Sequence, residues 1–188
     1  MKKRSGLTAL LVLTVLFLVA CGGARNPKDA TLLFFKNMRV GKYEEAAELV
    51  SGSDFDAARV REEYESLGGK FLDKMRDFEY EVVGVDQRNE SATVNVKVSY
   101  YNLKPIFEEV MQNLRNDVKN DEKIRNMNEE EVTKEAMNRL NAKIESVKDL
   151  QRTEKSFNIN VIKSEKTWKL DITNMDVQEV ISGNLSTL

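Results

Sequence analysis

Hydrophobic and polar positions change period partway along the chain, at about residue 78. Before that point the spacing is helical. Asn26-Pro27-Lys28-Asp29 offers a capping side chain and a proline for the first helical position. The following "ATLLFFKNMRV" predicts a helix that buries Leu33, Phe34 and Met38, with Gly41 placed to stop it. "KYEEAAELV" predicts a second short helix, broken at Ser51-Gly52-Ser53. Ser53 or Asp54 is placed to cap a third, over "FDAARVREEYESL", and Gly68-Gly69 bends it before "KFLDKM".

From there the period is two. "FEYEVVGVD" and "SATVNVKVSYY" flank "QRNE" and predict a hairpin. In the second strand Ala92, Val94, Val96, Val98 and Tyr100 point one way, and Thr93, Asn95, Lys97, Ser99 and Tyr101 the other. One face is therefore buried. A second hairpin, "SFNINVIKS" and "TWKLDIT" about a tight Glu165-Lys166 turn, alternates Trp168, Leu170 and Ile172 with Lys169 and Asp171. Asn174 can then cap a last helix over "MDVQEVIS", ended by Gly183.

Between the hairpins, Leu103 to Arg152 carries no strand signal. "KPIFEEVMQNLRNDV" places Ile106, Val110, Leu114 and Val118 on one helical face. Asn128 with Glu131 makes a capping box, and Met127 with Val132 a hydrophobic staple, for a second helix. That helix lines up Val132, Ala136, Leu140, Ile144 and Val147. A helical hairpin lying beside the sheet is the expected arrangement, its mixed charge forming a solvated outer face.

The N-terminus has a different pattern. "MKKRSG" is cationic and "LTALLVLTVLFLVA" is apolar, the layout of a secretory signal. Its 14 apolar residues fall short of the ~20 needed to span a bilayer as an uncleaved anchor. Leu18-Val19-Ala20-Cys21 resembles the lipobox of bacterial lipoproteins. The resemblance implies diacylglycerol attached to Cys21 by a thioether, with palmitate-type acyl chains, and cleavage between Ala20 and Cys21. Stable anchoring takes two acyl chains. The expected organisation is a signal peptide over 1–20, a lipidated tether over 21–26 and one domain over 27–188, with the helical insertion at 103–152. The mature protein would sit on the outer face of the bacterial cytoplasmic membrane.

Composition narrows the chemistry. The 188 residues contain no histidine and one cysteine, which excludes histidine-based triads and metal sites, a thiolate zinc cluster and an intramolecular disulfide. The whole chain has 29 basic and 31 acidic residues. Removing 1–20 takes away Lys2, Lys3 and Arg4 but no acid, leaving a net charge of −5. A mildly acidic body has no footprint for nucleic acid. "YEEAAELV" and "NEEE" lack the ligand spacing and central glycine of a calcium loop, and acids at helix starts have an ordinary electrostatic explanation. No metal and no cofactor are expected.

The order of helices, hairpin, insertion, hairpin with a tryptophan in the last strand resembles the NTF2-like (cystatin-like) α+β fold. More narrowly it resembles small Gram-positive lipoproteins of unknown function with such a body. The lipobox, "NPKDATLLFFKNMRVGKYEEAAELV" and "TWKLDIT" carry that resemblance. It implies N-terminal helices packed on a curved four-stranded antiparallel sheet, a cone with a pocket at its open end. Tyr80, Tyr100, Tyr101 and Trp168 are the candidate ligand-binding residues. A non-catalytic module holding an envelope protein or a small apolar ligand is the leading reading. The alternative is an isomerase or dehydratase in which Tyr80, Tyr100 or Tyr101 donates to an oxyanion and Asp86 or Asp171 acts as base. Trp168 alternates with Leu170 and Ile172, which favours a core position for it.

Overall fold

The computed structural model describes residues 24–52 and 55–185. Ala20, Cys21, Ser53 and Asp54 therefore lie outside the described residues. Four helices come first: α1 (Pro27–Arg39), α2 (Tyr43–Ala47), α3 (Ala57–Leu67) and α4 (Gly69–Arg76). The hairpin β1 (Glu79–Arg88) and β2 (Ser91–Tyr101) follows, then α5 (Lys104–Asn120), α6 (Glu122–Arg125) and α7 (Glu129–Ser146). The chain closes with β3 (Arg152–Ser164), β4 (Thr167–Leu170) and α8 (Met175–Ile181). The class is α+β, with one antiparallel sheet in the order β1-β2-β3-β4.

Local chemistry sets most boundaries. The Asn26 side chain accepts the Asp29 N–H at 2.8 Å, and Pro27 opens α1. Gly41 sits at φ 75° just past its end. The stripe of α1 differs from the expected one by rotation. Thr31, Phe34, Phe35 and Met38 face the sheet at i, i+3, i+4, i+7, while Leu33 is 39% exposed. The cap of α3 is Asp56, which accepts the Arg59 N–H at 3.0 Å, in place of Ser53 or Asp54. Gly68 and Gly69, both at positive φ, separate α3 from α4.

The sheet follows the alternation closely. Ala92, Val94, Val96, Val98 and Tyr100 are all buried on the inner face, where α1 packs against β1, β2 and β4. On the outer face Thr93, Asn95, Lys97 and Ser99 stay polar, and Asn95 donates to Asn158 across the strands at 2.9 Å. A bulge at Val82/Gly84 interrupts β1. The free side of β4 is covered by backbone. Trp168 N–H donates to the Ala24 carbonyl at 3.2 Å, and Leu170 N–H to Leu49 at 2.7 Å. Such covering removes an open edge. Trp168 is 4% exposed, a core position.

The insertion does not lie beside the sheet. Ile106, Val110, Leu140 and Ile144 join Phe71, Leu72, Met75 and Leu103 in a second core, so α5 and α7 sit on α4. The Asn128–Glu131 capping box is formed as expected. Val118 is 37% exposed, because Ile124 on the short α6 closes that end with Leu114 and Ala136 instead. Arg139 spans the two helices, pairing with Asp117 at 2.5 Å and Glu135 at 2.7 Å.

Candidate functional site: an apolar groove between α3 and α8

Helix α3 has an apolar stripe but buries none of it completely. Val60, Tyr64 and Leu67, at i, i+4 and i+7, are half-buried and face Ile172 and Ile181 at the other wall. Met75 from α4 and Phe107 from the first turn of α5 also line it. The result is a groove of about 440 Å³, within the range of small-molecule sites.

Its polar atoms are mostly engaged. Tyr64 Oη donates to the Ile181 carbonyl at 2.9 Å, and burial pushes its phenol well above the ordinary value. Gln178 Nε2 donates to the Ile172 carbonyl at 3.0 Å. Arg59 and Glu63 at the rim pair with each other at 2.7 Å. Apolar surface is what remains for a guest. Filled polar valences and greasy walls favour burial of hydrocarbon over directional recognition.

None of the four expected ligand-binding residues lines this groove. Tyr100 is 1% exposed and donates to Glu179. Lys155 Nζ reaches the same carboxylate at 2.8 Å and Asp176 at 2.7 Å. Burial and the bond to Glu179 both raise the Tyr100 phenol above its usual value. Burial alone would raise the Glu179 carboxyl, but hydrogen bonds from Lys155 and Tyr100 outweigh it and hold it below the ordinary range. This knot fastens α8 to β2 and β3. In it the Tyr100 hydroxyl is engaged with Glu179.

Lys74 and Arg152 both lie over the Tyr101 ring, each cation 4.6 Å from its centre. Tyr80 packs on Phe35 at 5.4 Å beneath Arg39, and touches a shallow polar depression on β1 and β2. Trp168 belongs to the main core. Asp86 and Asp171 both line one cleft, which no tyrosine lines. Asp86 pairs with Arg88 at 3.2 Å, and Asp171 accepts from Thr173 Oγ1 at 2.7 Å.

Tyr64, Phe107 and Ile181 were missed from the sequence. The i, i+4, i+7 stripe of α3 was the available signal, though it names no partner helix. No family model matches the chain, and no curated protein matches it. Among solved structures it is similar to ycdA, a candidate lipoprotein of Bacillus subtilis, at 10% identity and a TM-score of 0.44. The alignment covers 84% of this chain and 56% of that one, so the chain spans a little over half of that protein. Among the described residues no helix is long and apolar enough to cross a membrane. Nor, among them, do three or more acidic or sulfur side chains gather as a metal site.

Proposed function

We propose that this chain is a lipid-anchored protein of the outer face of the cytoplasmic membrane, with an NTF2-like body that binds without catalysing. Leu18-Val19-Ala20-Cys21 supports the anchor. The placement of α1 against β1, β2 and β4 supports the NTF2-like comparison. The groove between α3 and α8 carries the binding reading: its walls are apolar and its polar groups already bonded to the protein. A small apolar molecule is its guest. The isomerase reading would need a tyrosine and a carboxylate facing one substrate. The cleft that Asp86 and Asp171 line contains none of Tyr80, Tyr100 and Tyr101, so the pairs that reading calls for are not brought together among the described residues.

Titration of the lipidated protein with a dansylated fatty acid tests the binding half. Val60→Trp fills the groove from a half-buried position and should weaken binding by about tenfold or more while leaving the melting temperature nearly unchanged. Equal affinity in the variant and the parent would remove the groove from consideration.

A further inference from the structure

The packed body reaches back almost to the lipid-bearing residue. Ala24 is 3% exposed, and its carbonyl accepts the Trp168 N–H at 3.2 Å on the outer side of β4. Cys21 is three residues away. Three peptide units reach at most ~11 Å in any conformation. A lipid on Cys21 therefore brings one particular part of the body to the headgroups.

That part is the end of the sheet where both hairpin turns lie. Lys163 is the β3 partner of Trp168, and its N–H donates to the Glu90 carbonyl in the β1–β2 turn at 2.7 Å. The Glu165-Lys166 turn is two residues from Trp168. The insertion leaves the sheet at the opposite end, from Tyr101 of β2 and back into Arg152 of β3. Strand β3 alone, 13 residues long, separates the two ends by ~40 Å at ~3.3 Å per residue.

Charge at the turn end suits an anionic surface. Arg25, Lys28, Lys163 and Lys166 are exposed and Lys169 is half-exposed, and none of the five makes an ion pair among the described residues. Of the carboxylates nearby, Asp86 pairs with Arg88, whereas Asp29 and Asp171 accept from neutral Asn26 and Thr173 and keep their charge, as do Glu90 and Glu165, so unpaired cations outnumber unpaired carboxylates five to four. Each basic side chain brought to an anionic leaflet adds to the attraction.

We propose that the hairpin-turn end of the sheet is the membrane-facing surface, seated on anionic lipid headgroups through Arg25, Lys28, Lys163 and Lys166. The inference rests on lipidation of Cys21. It turns the insertion and the base of α5, which lines the groove, away from the bilayer.

The test uses the lipidated full-length protein in vesicles of phosphatidylcholine and phosphatidylglycerol containing a lipid with a spin-labelled headgroup. With Cys21 consumed as a thioether, an introduced thiol is the only one open to a fluorophore. Lys166→Cys reports the turn end and Gln151→Cys, also exposed, the opposite end. Several-fold stronger quenching at 166 than at 151 is expected. Adding Arg25→Glu, Lys28→Glu and Lys163→Glu should shrink that difference several-fold. Equal quenching at the two sites on protein that floats with vesicles overturns the orientation and leaves the anchor standing. An undiminished difference in the charge-reversed variant overturns the headgroup contact. Protein that carries no acyl label fails the anchor and the orientation together.

Discussion

Tyr100, Glu179, Lys155 and Asp176 show how one residue choice joins three elements. Tyr100 sits on the inner face of β2, where alternation alone would call for valine. Its hydroxyl must find a partner because it is fully buried, and Glu179 of α8 supplies one. Lys155 on β3 then offsets the carboxylate. Tyr100→Phe keeps the ring and loses the bond, leaving Glu179 with Lys155 alone, so a loss of about 1–3 kcal/mol is expected. Chemical denaturation measures it. The sign of the pH effect follows from the two ionisable ends. Glu179 is held below its ordinary value of 4.5, so its contribution is full above that value and is lost as pH falls through the lower folded one. Lys155 is held above its ordinary 10.5, so its share is full below that value and lost as pH rises past it. Glu179→Gln should therefore flatten the acid limb of the stability profile below about pH 4.5. An unchanged acid limb would mean that other carboxylates set it. The sequence showed that Tyr100 points inward, since periodicity reports sidedness. It could not show what the hydroxyl meets, because Glu179 lies 79 positions further on.

Periodicity was most informative for the elements themselves. The alternation of β2, the Asn26, Asn128 and Asn174 caps and the stops at Gly41 and Gly183 all rest on neighbours within four residues, and all are present. The seat of the insertion was less legible, because an apolar stripe on α5 or α7 says only that something covers it. Gly69 marks what does. It has φ 55°, and a Cβ there would lie 2.6 Å from Asn141 Oδ1, the atom that accepts the Phe71 N–H at 3.0 Å. Asn141 on α7 thus bonds a first-turn N–H of α4, and only a glycine lets it approach. Gly69→Ala should cost about 2 kcal/mol from positive-φ strain and the displaced bond, a Tm loss of about 4–8 °C. Gly52→Ala, also at positive φ but with nothing within 4 Å of its Cβ, should cost about half as much. Equal losses would show that Asn141 yields freely. Replacing residues 104–150 by a short Gly/Ser linker tests the same contact harder. Since Phe71, Met75 and Leu103 share their core with the insertion, the deletion should lower the melting temperature sharply or leave the body unfolded by circular dichroism. A body that melts as the parent does would make α5 and α7 an appendage after all.

The whole molecule has two ends with different chemistry, and the proposed anchor on Cys21 would decide how they are used. Ala24 docks beside β4 at the turn end, while the insertion departs from the other. The groove was not legible along the chain because its walls come from α3, α5 and α8, with residues from 55 to 185 converging on it. Only the closure of α8 onto β2 and β3 brings them together. The anchor is the reverse case, written in a contiguous run from Lys2 to Cys21. The 7–20 segment is short for a membrane-spanning helix, so the proposed attachment would depend on the thiol. Cys21→Ala removes the only nucleophile that can take the lipid. The expected outcome in growing cells is loss of fatty-acid label and a polypeptide longer by its 20-residue signal on a denaturing gel, while Cys21→Ser separates lost acylation from any effect of side-chain size. Both variants should keep the melting behaviour of the body, whose described residues begin at Ala24. Undiminished label in Cys21→Ala would place the lipid elsewhere, and it would also release Ala24 and the hairpin turns from the headgroup surface.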